Sequence, residues 1–340
     1  MKSLRPPVYR QHHYVTVVAV MAAVAVLAPR WAAGSRADQY LVNLWLAYSI
    51  AAIGAYWIYG LAGRFFFCQT FMMVLGGFTT AWVTRDDGGG QSPLVGLVAA
   101  VAVTAAIAAL VAVAIRRSHD FYFAIATLAL AQVGTSVFRR WEGFAGRNGT
   151  TVGIAPIEIA GHRFLDESEI FWLLGGLLTA VLLLAVLIER SPLRRDALAG
   201  RANPLVARTI GLPLERNQVV LFSLGSAMGG LSGGLIAHWN GVIGIDSFGI
   251  DLAIGFFLML LLGGITSPWG PVLGAAFYVA VPHWLAGAER YSEVVYGVML
   301  LVVVIALPEG LVGAVRRASA YVRSRAATTV ESRRTADAAG

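Results

Sequence analysis

Residues 260–275, LLLGGITSPWGPVLGA, decide what kind of chain this is. They sit among apolar neighbours with the length of membrane-spanning helix, yet carry four glycines (Gly263, Gly264, Gly270, Gly274) and two prolines (Pro268, Pro271). A helix that only anchors a protein in lipid has no use for that composition. Two physical readings account for it. Glycine lets helix backbones approach closely in lipid, where small residues form the interfaces between helices. Alternatively, the backbone unwinds where it faces protein or water and not lipid. Pro268 and Pro271 cannot both lie inside one unkinked helix, because each removes an amide donor. The spacing favours a tight turn over residues 265–270 between two close-packed spans, with the solute-binding break as the alternative. Neither reading fits a simple anchor.

Working outward, the 340 residues are 57% hydrophobic and 13% charged, with a mean hydropathy of +0.69. Soluble domains carry about 25% charged residues, so the balance is that of an integral membrane protein. Ten apolar segments stand out, at about 14–29, 40–62, 65–83, 93–115, 121–138, 170–188, 217–237, 250–265, 270–287 and 294–312. Most reach or approach the roughly 20 residues that cross a hydrocarbon core; the first and eighth are short and are read as tilted, re-entrant or extended by their flanks. Lys2, Arg5 and Arg10 ahead of the first run resemble a signal peptide, but the number of spans that follow favours an uncleaved first helix. The fold class expected is all-α, a polytopic transmembrane bundle of about ten spans. It comprises a segment 1–13, a membrane domain 14–312 and a basic, disordered tail 313–340.

Charge sets the orientation. With the N-terminus inside, 18 of the 26 basic residues fall on the cytoplasmic side and 8 outside, as the positive-inside rule requires for an N-in, C-in chain. The net charge of +7 is therefore spread over short loops and two tails, where it meets lipid headgroups, and does not indicate nucleic acid. Ten spans divide into five plus five around a long outer loop, 139–169. An odd number per half would invert the second half relative to the first, an arrangement common among transporters.

What is missing narrows the function. A Walker A site needs G-x-x-x-x-G-K-[ST], and Lys2 is the only lysine, so this chain has no such ATP site. There is no H-E-x-x-H, no G-x-S-x-G and no cluster of metal ligands; the one cysteine, Cys68, is read as a packing residue. The expectation is neither a catalytic nor a metal site. The span interiors also lack the carboxylate or charge relay that ion-coupled carriers retain, so energy for transport would come from another polypeptide. Polar residues that could line a path include Gln69, Thr79, Thr127 and Gln132. A lone Thr commonly bonds its own helix backbone, which makes the two glutamines the better candidates. The inner loop 189–216 has a helix-like segment from Pro204, with Gly211 placed to stop it and Pro213 beyond. It reads equally as a docking element for a soluble motor and as a basic surface loop.

Four stretches in order resemble the permease subunits of bacterial branched-chain amino-acid ATP-binding-cassette importers. They are YFAIATLAL (122–130), SPLRRDALAGRANPLVARTIGLPLERNQVVLF (191–222), GGITSPWGPVLGA (263–275) and LPEGL (307–311). The resemblance implies that the loop 189–216 contains a coupling helix seated in an ATPase, with Arg201, Ala207, Gly211 and Arg216 on matching positions. It implies two ATP-binding subunits that hold ATP and Mg, with no cofactor on this chain. A second permease subunit, a periplasmic or lipid-anchored solute-binding protein and an inner-membrane location are implied as well. Branched-chain amino acids would be the cargo, with urea, short amides or other amino acids as alternatives. Tyr56, Phe66, Cys68 and Thr266 depart from the family pattern, which has smaller or amide residues there. A stand-alone channel or secondary carrier, and a membrane scaffold that transports nothing, are the rival classes.

Overall fold

The computed structural model describes residues 35–85, 90–116, 118, 120–159, 161–285, 297 and 310–313. The apolar segment 14–29, nearly all of 294–312, and both terminal regions lie outside these residues. Each of the eight apolar segments from 40–62 to 270–287 contains a helix. The helices are α1 (Arg36–Tyr56), α2 (Gln69–Thr84), α3 (Pro93–Ile115), α4 (Asp120–Arg140), the single turn α5 (Glu142–Ala145), α6 (Glu167–Arg190), α7 (Pro192–Ala202), α8 (Pro204–Thr209), α9 (Leu214–Asn240), α10 (Ile250–Gly263) and α11 (Trp269–Leu285). The molecule is an all-α polytopic bundle.

Among the described residues, six stretches are long and apolar enough to cross a membrane: Arg36–Leu61, Pro93–Ile115, Phe121–Arg140, Glu167–Arg190, Leu214–Asn240 and Ile245–Gly263. The 16 residues of α2 rise only about 24 Å, short of the roughly 30 Å of hydrocarbon. Irregular backbone over 62–68 precedes α2, and Phe67 N donates to the side chain of Thr127 (3.2 Å) and not to a helical carbonyl. Such backbone survives in a membrane protein where other elements enclose it. Here Thr127 of α4 and Phe222 of α9 cover Phe67 N and the Phe66 ring.

Two helices form the centre. α1 starts in a capping box: Ser35 Oγ accepts from Asp38 N while Asp38 Oδ2 accepts from Ser35 N. It then buries Leu46, Ile50 and Ile53 completely and continues into a π-helical turn, Trp57–Leu61. α9 carries the run AMGGLSGGL and crosses α1 where Gly54 and Gly225 meet backbone to backbone. A methyl group at Gly76 or Gly233 would run into the facing α9 or α2 backbone. Close approach of this kind is how helices associate in lipid, where dispersion and hydrogen bonds replace hydrophobic drive. Ser232 Oγ donates to Ala47 O (2.7 Å) and Trp45 Nε1 to Val272 O (2.8 Å), adding polar ties between helices.

Neighbour relations in the two halves correspond. α2 pairs with α3 as α10 pairs with α11, and α3 packs on α9 as α11 packs on α1. The correspondence is incomplete, since α2 lies broadly against α9 whereas α10 touches α1 only lightly.

The bundle has two distinct ends. At one, a small antiparallel ribbon joins β1 (Thr150–Val152) to β4 (Val242–Gly244), with Thr151 opposite Ile243; β2 (Glu158–Ile159) and β3 (His162–Arg163) form a short hairpin. Glu167 collects Asn43 Nδ2 (2.6 Å) and Trp239 Nε1 (3.1 Å) there, binding α1, α6 and α9. His238 is buried nearby. Its Nδ1 can only donate to the Ala155 carbonyl (2.6 Å), so Nε2 accepts from Thr80 Oγ1 (2.7 Å). At the other end lie the loop holding α7 and α8, the irregular segment 62–68, and the turn between α10 and α11.

Candidate functional site

The α7–α8 loop is built of two short helices. Proline opens each of them, where a missing amide donor costs nothing. Asn203 caps α8 by accepting from Leu205 N and Val206 N, both at 3.2 Å. Gly211 adopts φ +79° with open space around it, so glycine serves the left-handed backbone there and not a close contact. Ala207 is buried and seats α8 on the bundle. Leu205, Val206 and Ile210 turn outward, at 75, 53 and 67% exposure. Arg216 is exposed and lines a cleft of about 590 Å³ together with Arg116, Arg208 and Glu215.

Arg201 behaves differently from its neighbours. The residue is exposed, yet its guanidinium reaches back to α1, where Nη1 donates to Gly60 O in the π-helical turn. It also sits over the Tyr59 ring, 6.0 Å from the centroid. The loop touches α1 at a second point. Glu189, at the end of α6, accepts from Tyr56 Oη (2.6 Å) and pairs with Arg194 Nε of α7 (2.6 Å). Tyr56, one of the departures from the family pattern, is thus half of a link to α7.

The candidate path residues fall into two groups. Thr79 Oγ1 donates to Leu75 O (2.6 Å) and Thr127 Oγ1 to Ala124 O (2.9 Å), each within its own helix. Gln132 and Gln69 lie along α10. Gln132, with Thr70, Thr135 and Asp246, lines a hollow of about 170 Å³ between α2, α4 and the start of α10. The Arg139–Asp246 ion pair (2.7 Å) stands at its edge. Gln69 lines a second hollow of about 10 Å³ further along α10, walled by Tyr59, Phe66, Phe256, Phe257 and Leu260. That is room for about one water.

Gln69 Nε2 donates to Ala51 O (2.8 Å) and Gly225 O (3.2 Å). Both partners are carbonyls, which fixes the amide orientation. Its Oε1 is buried and finds no hydrogen-bond partner among the described residues. Hydrophobicity patterns alone do not show this; the nearest sequence signal is a glutamine inside an apolar run.

In the Gly/Pro segment, α10 ends at Gly263, Gly264 takes φ +105°, and α11 begins at Trp269. Pro268 precedes α11 and Pro271 lies in its first turn, where proline is tolerated. A methyl group at Gly263 would collide with Gly270, one at Gly270 with Gly264, and one at Gly274 with the Met259 backbone. The turn lies beneath the π-helical turn: Ile265 O is 3.1 Å from where a Cβ on Gly60 would stand.

Long apolar helices crossing through glycine, with a two-helix loop at one end of the bundle, define a multi-pass helical membrane protein. The chain belongs to the family described as Branched-chain amino acid transport system / permease component, whose profile matches residues 39–304. It is 26% identical over 318 residues to the high-affinity branched-chain amino acid transport system permease protein LivM of Escherichia coli K12, covering 86% of this chain and 74% of that one. It is 24% identical over 293 residues to the permease protein LivH of the same organism, covering 80% and 93%. No solved structure matches the chain.

Proposed function

We propose that this chain is a permease subunit of an ATP-binding-cassette importer in a bacterial inner membrane, carrying branched-chain or related amino acids. Two ATP-binding subunits with ATP and Mg power it, a second permease subunit completes the membrane part, and a solute-binding protein delivers cargo from outside. The observation that carries the reading is the α7–α8 loop, which presents Leu205, Val206 and Ile210 outward from a capped helix while its other face is tied into α1. An apolar tip held on a rigid base suits docking of a soluble motor. In this reading the loop lies in the cytoplasm, in accord with the arginine distribution.

Solute would pass along α10, from the hollow beside Arg139 and Asp246 to the small hollow at Gln69, and alternating access would open the two in turn. A free amide oxygen among aromatic rings suits a solute that brings an N–H donor and an apolar side chain. Urea and short amides share the donor but not the apolar body.

The test is co-purification with candidate ATPase subunits, comparing wild type, Gly211→Arg and Leu205→Glu, with membrane insertion checked for each. Gly211→Arg strains the left-handed turn after α8, whereas Leu205→Glu changes only the exposed tip. Association in the wild type that both substitutions remove is the expected result. A well-folded wild type that associates with none, or transports unaided, would replace this reading by an independent channel or carrier.

A further inference from the structure

We infer that the π-helical turn Trp57–Leu61 is the element through which the α7–α8 loop moves α10, and that Arg201 is the residue that joins them. The inference rests on the importer reading above and assigns Arg201 a task other than contact with the ATPase. A helix end leaves carbonyls without intrahelical donors. Here Trp57 O, Ile58 O and Tyr59 O take Ala62 N (3.3 Å), Arg64 N (3.3 Å) and Gly63 N (3.1 Å). Gly60 O is served by Arg201 across a sequence distance of 141 residues. A cation at a helix C-terminus also meets the negative end of its dipole. Gly63, at φ +74°, leaves room for the arginine stem, since a Cβ there would lie 2.9 Å from Arg201 Cγ.

From the π turn the contacts continue to α10 at two levels. The Tyr59 ring meets Phe257 edge-on, with centroids 5.3 Å apart, and both rings wall the small hollow at Gln69. Gly60 lies against Ile265 O in the turn after α10. α10 in turn contributes Ala253 to both hollows and Ile250 to the one beside Arg139. π-helical turns are rare and concentrate at functional sites, because the wider turn tolerates a shift of register. A displacement of α7 therefore reaches Gly60 and Tyr59 through Arg201, and α10 through them. The Tyr56–Glu189–Arg194 link bears on the same stretch of α1 from α6.

The experiment uses the assembled transporter in proteoliposomes, with wild type, Arg201→Met, Arg201→Lys and Tyr59→Leu. Three quantities are read: ATPase subunit recovered with the permease, ATP hydrolysed, and solute taken up. Arg201→Met keeps the apolar stem and removes the charge and donors, so ATP hydrolysed per solute should rise about tenfold, the loss expected of a charge-assisted bond, while the recovered ATPase stays at the wild-type level. Arg201→Lys, which retains the charge and N–H donors on a single nitrogen, should recover part of the coupling. Tyr59→Leu leaves the Arg201–Gly60 bond intact and should uncouple by the same measure, which keeps the test in force should Arg201→Met fail to assemble. Loss of ATPase recovery in Arg201→Met would make Arg201 a docking residue and overturn the inference while leaving the importer reading intact. A wild-type ratio in Tyr59→Leu, or in an assembled Arg201→Met, would also overturn it. A wild type that recovers no ATPase removes the importer reading, and the inference with it.

Discussion

Gly274→Ala should be among the more damaging single-methyl changes in this bundle, and the reason is geometric. The added Cβ would lie 2.7 Å from Met259 C and 3.0 Å from its Cα, with Met259 O nearer still. Carbon atoms rest about 3.5–4.0 Å apart, so α10 and α11 must separate by on the order of 1 Å, and a gap of that size forfeits a quarter to a half of each affected contact. The obstacle is backbone, which cannot rotate away as a flexible side chain does. Gly263 and Gly270 interlock further along the same pair, so the separation spreads. Overpacking of this kind costs about 3 kcal/mol, the upper part of the usual range. At about 2–4 °C per kcal/mol for a large chain, the midpoint should fall by ~6–12 °C. The matched control is Gly175→Ala in α6, where nothing lies within 4 Å of the new methyl; better helix propensity should stabilise it by up to about 1 kcal/mol. Heating the detergent-solubilised protein and reading the monodisperse peak by size-exclusion chromatography gives both midpoints. A Gly274→Ala midpoint at the wild-type value, or an equal fall in Gly175→Ala, would show that glycine contact is not what holds these helices.

Asn203→Ala removes the side-chain cap of α8 and should cost about 1 kcal/mol locally, read as faster hydrogen exchange at Leu205 and Val206 with little change in the global midpoint. Arg139→Ala should leave the midpoint close to the wild-type value, because the ion pair is solvent-screened and its partner Asp246 is 78% exposed; a change in the apparent KM for uptake without a stability loss is the expected signature of its place beside the hollow. Gln69→Leu deletes two hydrogen bonds to carbonyls that helices still use, a cost of about 1–2 kcal/mol. Uptake should fall by more than that stability loss accounts for, and uptake at the wild-type rate would remove Gln69 from the path.

The spans were legible because the signal for them is local: twenty apolar residues in a row need no knowledge of the rest of the chain. The capped helix α8 was legible in Pro204 and Gly211 for the same reason. What could not be read depends on residues far apart in sequence. The pairing of β1 with β4 joins residues 150–152 to 242–244, and neither stretch has the alternating pattern of a strand. α2 starts later than its apolar run, because Phe67 bonds Thr127 on α4 in place of its own helix. Arg201 carries the same sequence signature as Arg195 beside it and is exposed like it; only its bond to Gly60 O sets it apart. Asp246 reads as a solvated edge residue, and its pairing with Arg139 spans 107 residues. The glycines of α9 announce close packing but not the partner each one meets.

The one cysteine of the chain has a practical consequence. Cys68 is fully buried at the junction where irregular backbone enters α2. A thiol reagent added to the folded protein therefore meets no other native sulfhydryl and must wait for that junction to come apart. Its labelling rate is a built-in stopwatch for opening of the joint that faces Phe66 and Gln69, available in the unmodified chain and at any stage of a transport cycle.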